Sequence, residues 1–142
     1  MAGYLNDLFL FDPARLLWAD VTALTRGPPP SPREGCFFAA IAGRLYLFGG
    51  WSETTLVFFN DLFMLDPAGL VWTNLTPVAR GAVPPPVYGH SFVAVGDRLY
   101  VFGGTVRLGA DIGARHPPLC APLPHRLTTV GDKANRIIVH DG

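Results

Sequence analysis

The side chains best suited to bind a metal ion are few in this chain. They are four histidines and two cysteines: His90, His116, His125, His140, Cys36 and Cys120. A protein metal site needs three or four converging ligands, and no two of these histidines have the spacing that brings ligands together on one strand or helix. A site in the stretch that holds His116, Cys120 and His125 is the alternative. We predict that the chain binds no metal.

Residues for acid–base or nucleophilic catalysis are equally sparse. The only glutamates are Glu34 and Glu53, and neither belongs to a carboxylate pair suited to proton transfer. The sequence has no phosphate-binding loop, no Gly-x-Ser-x-Gly elbow and no dinucleotide-binding fingerprint. We therefore predict that the chain is not an enzyme, with no catalytic residue and no cofactor.

Composition indicates a β protein. Apolar residues make up 49% of the 142 residues and charged residues 15%, while sixteen glycines and fourteen prolines interrupt the chain throughout. This pattern is typical of short strands joined by turns. The formal net charge is zero, which argues against a nucleic-acid surface, since such surfaces carry a basic patch that neutralises phosphates.

The cellular setting is predicted from what the sequence lacks. It has no apolar run of membrane-spanning length, and its first residues do not resemble a secretory signal. Two cysteines do not make a disulfide framework, so buried thiols are the expected state, although a single disulfide between them remains possible. We expect a cytoplasmic protein without membrane or nucleic-acid partners. In that setting the glycosylation-type triplet that begins at Asn74 is expected to arise by chance.

An internal repeat explains the Gly and Pro pattern. Residues 6–50 align with residues 60–104 at a shift of 54 without a gap, and 23 of the 45 positions are identical. Each copy contains Asn-Asp-Leu-Phe, then Asp-Pro-Ala, a Trp, an Arg-Gly pair and a strand that ends in Gly-Gly. Such self-similarity is the signature of a repeat architecture.

Each copy predicts four short strands, which we call a to d in the order of one blade. Strand a covers 37–41 and 91–95, strand b 44–48 and 98–102, strand c 7–11 and 61–65, and strand d 16–21 and 70–75. Their apolar positions are nearly continuous, which suits sheets that are buried on both faces.

These motifs resemble the kelch repeat. The matching residues of the complete copy are Tyr46, Gly49, Gly50, Asn60, Asp61, Leu62, Asp66 and Trp72. The resemblance covers residues 5–104 and implies an all-β fold of kelch-type β-propeller blades, each of four antiparallel strands. Some kelch-propeller families are enzymes, including galactose oxidase, sialic-acid mutarotase and nitrile-specifier proteins. The alternative function is therefore a fragment of a galactose-oxidase-like or mutarotase-like enzyme whose active site lies in missing blades.

The repeat predicts three regions and an incomplete propeller. Residues 1–35 hold strands c and d of a first partial blade, 36–88 a complete blade with its d–a loop, and 89–142 a third partial blade. In the third region a long b–c loop at 105–134 precedes a degraded strand c that begins at Asn135. Because a closed propeller needs at least four blades, we expect either a fragment of a longer chain or self-association that completes the ring.

Strand order predicts a binding face. In an up-and-down blade the b–c and d–a loops share one rim, and these are the long connections here, at 51–59, 22–35, 76–89 and 105–134. Trp, Tyr and Arg are enriched at binding hot spots. The predicted partner-binding residues are Trp51, Glu53, Arg80, Tyr88, Arg107 and Arg115. We predict a protein-interaction module or scaffold that binds a protein partner here. The alternative for Trp51 and Tyr88 is packing within their own loop or blade.

Overall fold

The computed structural model describes residues 3–106. Ten strands and one short 3₁₀ turn, Thr22–Leu24, make up the regular structure of this part of the chain. The strands are β1 (Phe9–Asp12), β2 (Leu17–Asp20), β3 (Phe37–Ile41), β4 (Arg44–Phe48), β5 (Trp51–Ser52), β6 (Val57–Phe58), β7 (Leu62–Asp66), β8 (Val71–Asn74), β9 (Ser91–Val95) and β10 (Arg98–Phe102). No helix among residues 3–106 is long and apolar enough to cross a membrane. The all-β prediction is confirmed.

One four-stranded antiparallel sheet, β3-β4-β7-β8, contains the predicted strands a to d in sequence order. We call it the central blade. Its first two strands have the predicted bounds, and the turn between them places Ala42 and Gly43 at positive φ, as a tight two-residue hairpin requires. Strand β7 runs one residue later than predicted, to Asp66. There the Asp66 carboxylate accepts a hydrogen bond from the amide of Ala68 and begins the Asp-Pro turn.

Two hairpins flank the central blade. Strands β1 and β2 form a c–d hairpin, and β9 and β10 form an a–b hairpin. Each is a two-stranded sheet, so β1 and β10 each keep an edge that no strand among residues 3–106 covers. Most of the long b–c loop predicted at 105–134, and the strand predicted from Asn135, lie outside the described residues.

The core lies on both faces of the central blade. On one face, Ala39 and Phe48 pack with Val87 and Phe92, which belong to the chain leading into and through β9. A second cluster on the other face contains Leu47, Phe63, Leu65 and Trp72, and Leu8 packs against it from the segment that precedes β1. The nearly continuous apolar strands thus follow from burial on two faces.

Candidate functional site

Three long loops lie together at one rim of the central blade. They are the first d–a loop (21–36), the b–c loop (49–61) and the second d–a loop (75–90). Glu34 and Trp51 exchange backbone hydrogen bonds of 3.0 and 2.9 Å, which join the first two loops. The amide of Val87 donates to the carbonyl of Phe59 at 3.0 Å, and the amide of Gly89 donates to the carbonyl of Gly35 at 2.9 Å. Backbone hydrogen bonds thus hold the three loops as one surface, which we call the loop face.

The b–c loop is itself a small hairpin, formed by β5 and β6. These strands carry no recognisable sequence pattern because each is only two residues long. The ring of Trp51 lies 4.6 Å from that of Phe58, and the ring of Phe58 meets that of Tyr88 edge-on at 5.4 Å. Both Trp51 and Tyr88 are buried. These aromatic side chains therefore connect the b–c loop to the second d–a loop from beneath the surface.

The Gly-Gly pair allows the loops to approach this closely. Gly49 and Gly50 both have positive φ, 66° and 105°. A Cβ on Gly49 would lie 2.6 Å from the carbonyl oxygen of Val87, and one on Gly50 would lie 2.9 Å from that of Glu34. Any side chain here would push the two d–a loops away from the end of β4.

A buried arginine that the sequence analysis missed secures the base of the loop face. The guanidinium of Arg33 donates hydrogen bonds to both carboxylate oxygens of Asp61 and to the carbonyl of Gly49, at 3.0 Å. Its carbon Cζ lies 3.8 Å from the ring centroid of Phe59. The repeat could not reveal this role because Val87 occupies the corresponding position in the next copy. The available signal was an arginine placed just before strand a, in a proline-rich loop that also contains Arg26.

His90 is enclosed by aromatic rings rather than placed for catalysis or metal binding. Phe37 and Phe48 each meet its ring edge-on at 5.5 Å, and Phe92 lies at 6.3 Å. Burial lowers its pKa. Among residues 3–106 no group of three or more His, Cys, Asp or Glu side chains could hold a metal ion.

Cys36, which holds the position of His90 in the preceding copy, is a free thiol packed against the second core cluster. Burial raises its pKa, and the charge of Arg33 opposes that shift. A raised pKa leaves less of the reactive thiolate at neutral pH.

The exposed part of the loop face is mixed in character. Glu53 and Arg80, two of the predicted contact residues, are exposed on the b–c loop and the second d–a loop. Exposed aliphatic side chains lie on the same two loops: Leu56, Val57, Val78 and Val83. These aliphatic residues were not predicted as contacts because Trp, Tyr and Arg are the types enriched at binding hot spots. Arg107 and Arg115 lie outside the described residues.

Four antiparallel strands in a-b-c-d order pack on both faces against like hairpins, and strand b ends in Gly-Gly at a loop-rich rim. These features define this chain as part of a β-propeller. Residues 1–112 match the family model described as the KLHDC2/KLHL20/DRC7 Kelch-repeats domain. The chain belongs to this kelch-repeat family. Kelch-repeat domains commonly act as protein-interaction modules.

Several known proteins contain a segment that is similar in sequence to this chain. Host cell factor 1 of Homo sapiens is 33% identical over 162 residues, which cover 92% of this chain and 8% of that protein. Rho GTPase-activating protein gacHH of Dictyostelium discoideum is 40% identical over 81 residues, 57% of this chain and 5% of that protein. Acyl-CoA-binding domain-containing protein 5 of Arabidopsis thaliana is 38% identical over 101 residues, 70% of this chain and 15% of that protein. The chain thus spans a small part of each of these relatives.

Proposed function

We propose that this chain is a protein-binding module whose partner contacts the loop face. The observation that carries the proposal is the union of three long loops by backbone hydrogen bonds and buried aromatic rings. A surface held in one conformation before binding loses less conformational entropy when a partner docks. The cytoplasmic setting expected from the sequence remains part of this proposal.

The predicted contact residues take two roles in the proposal. Glu53 and Arg80 contact the partner directly, together with the exposed aliphatic side chains of the same loops, because an interface combines an apolar centre with a charged rim. Trp51 and Tyr88 are buried and act by fixing the loops on which the contact residues lie. Arg107 and Arg115 extend this set as predictions from the sequence.

Binding, rather than catalysis, is the function that these residues support. The ring of His90 is enclosed by phenylalanines, and burial lowers its pKa. The thiol of Cys36 has a raised pKa. The enclosed ring of His90 lacks the access to a substrate that a general base requires, and Cys36 lacks the thiolate form that a nucleophile requires.

Charge reversal on opposite rims tests the proposal. Arg80→Glu changes the loop face, and Arg44→Glu makes the same change at the start of β4, beside the a–b turn on the other rim; both arginines are exposed. Proteins captured from a cell lysate by the full chain should be lost with Arg80→Glu and retained with Arg44→Glu. Circular dichroism should show that both variants are folded. If the captured proteins are retained with Arg80→Glu and lost with Arg44→Glu, the binding surface lies on the rim of the a–b turn and the proposal is wrong.

A further inference from the structure

The hairpins β1–β2 and β9–β10, which we call the half-blades, are the c–d and a–b parts of one repeat unit. The hairpin β9–β10 leaves one edge of β10 without a strand among residues 3–106, and β1–β2 leaves one edge of β1 in the same state. In the central blade, strands at these two positions, β4 and β7, pair with each other. We propose that β1 of a second copy of this chain, in place of the strand predicted from Asn135, pairs with β10 and completes a composite blade, β9–β10–β1–β2.

The central blade supplies the register. Its pairs are Leu45 with Leu65, Tyr46 with Met64, Leu47 with Phe63 and Phe48 with Leu62. Moving strand b forward by 54 residues and strand c back by 54 gives the composite register. Its pairs, with the second copy's residue second, are Leu99 with Phe11, Tyr100 with Leu10, Val101 with Phe9 and Phe102 with Leu8.

The two edges resemble their counterparts closely. Four of the five residues of β10 are identical to those of β4, and Leu8, Phe9 and Asp12 repeat Leu62, Phe63 and Asp66. An edge built from nearly the same residues presents nearly the same side-chain shapes to its partner strand, and cross-strand pairs are the unit of sheet stabilisation.

Charge complementarity supports the same register. It places Arg98, at the start of β10, opposite Asp12 of the second copy, at the end of β1. In the single chain Arg98 forms an exposed ion pair with Asp97 at 3.8 Å, and Asp12 forms one with the exposed Arg15 at 3.4 Å. Opposite charges directly across an antiparallel pair stabilise the sheet.

The composite blade also continues an existing packing interface. Phe92 of β9 packs against Phe48 of the central blade, with ring centroids 6.2 Å apart. Shifted by one repeat, this contact joins Phe102 of the first copy to Phe38 of the second. Both side chains are exposed in the single chain. One docking event therefore covers an apolar surface on each copy and continues the hydrophobic core from blade to blade.

One contact of the central blade is not reproduced at the junction. Arg33 binds Asp61, whereas Val87 holds the position of Arg33 beside the composite blade, so Asp7 of the second copy meets no guanidinium there. The junction is therefore weaker than the internal pairing, and assembly should depend on concentration. Residues 3–106 of each copy contribute one complete blade and two halves, so about two to four copies would supply the about four to eight blades of a closed ring.

Light scattering coupled to size exclusion gives the first test, on the full chain. We expect a mass that rises with concentration from the 15.3 kDa of one chain to about two to four times that value. The mass of a single chain at every concentration overturns the proposal. That result would mean that another segment covers the edge of β10, or that nothing does.

Cysteine cross-linking tests the register. Chains with Cys36→Ala and Cys120→Ser receive either Tyr100→Cys or Leu10→Cys, two exposed positions that the register places opposite each other. Directly facing Cβ atoms come to about 4.5 Å, the upper end of the disulfide range, so mixing the two chains under mild oxidation should give a two-chain species. The matched control mixes Leu10→Cys with Val101→Cys, whose side chains lie on opposite sheet faces, and the cross-link should be lost. Equal cross-linking in both mixtures overturns the proposal.

Discussion

The central blade and its flanking hairpins carry nearly the same residues in very different environments. Trp72 of β8 is 6% exposed, whereas its repeat equivalent Trp18 of β2 is 65% exposed. Phe48 of β4 is 4% exposed and its equivalent Phe102 of β10 is 71% exposed. Local sequence is sufficient to form each hairpin, but burial depends on which strands and blades lie alongside it.

This difference shows where the stability of a propeller blade arises. In repeat proteins, stability is the sum of an intrinsic contribution from each unit and contributions from the interfaces between neighbours. The central blade has a neighbour on each face, and each half-blade has a neighbour on one. Substitutions at equivalent positions should therefore have unequal effects, and the size of that inequality measures the interface contribution.

The largest difference in stability is expected between the two tryptophans at equivalent repeat positions. Trp72→Ala removes a buried ring from the second core cluster and should lower the free energy of unfolding by about 3–5 kcal/mol. Trp18→Ala removes the same group from an exposed strand, where it packs on Phe11 at 4.8 Å, and should cost less than about 1 kcal/mol. Urea denaturation at low protein concentration measures both. Equal losses of unfolding free energy would show that Trp18 is buried in solution. The difference between the central blade and its flanking hairpin would then not hold.

A smaller but sharper difference is expected between the paired aspartates. Asp61→Asn leaves the buried guanidinium of Arg33 without its charged partner and should cost about 2–3 kcal/mol. Asp7→Asn makes the same change at an exposed equivalent position and should stay within about 0.5 kcal/mol. Equilibrium unfolding of both variants supplies the comparison. An Asp61→Asn variant as stable as Asp7→Asn would show that the ion pair with Arg33 does not stabilise the blade.

The same comparison shows what the sequence could and could not predict. The repeat predicted β3, β4, β9 and β10 with their observed bounds, because hairpin turns and Gly-Gly pairs are local signals. It could not decide between partner contact and internal packing for Trp51 and Tyr88, since both lie in loops whose contacts join segments far apart in the chain. The role of Arg33 was equally hidden, because it depends on a residue 28 positions away and occurs in one copy alone.

The smallest predicted effect is on the free energy of unfolding at acid pH. It involves His90, whose equivalent in the preceding repeat copy is Cys36. Burial lowers the pKa of His90 in the folded chain, so the unfolded chain binds the proton more readily. Its contribution to stability is therefore fully present above the unfolded pKa, about 6.5, and is lost as the pH falls through that value toward the lower folded pKa. Urea unfolding of the parent chain across this pH range should show decreasing stability. The His90→Cys variant carries at this position the residue type of its repeat equivalent, Cys36. Its free energy of unfolding should change less with pH, and an unchanged slope would assign the pH dependence to other groups.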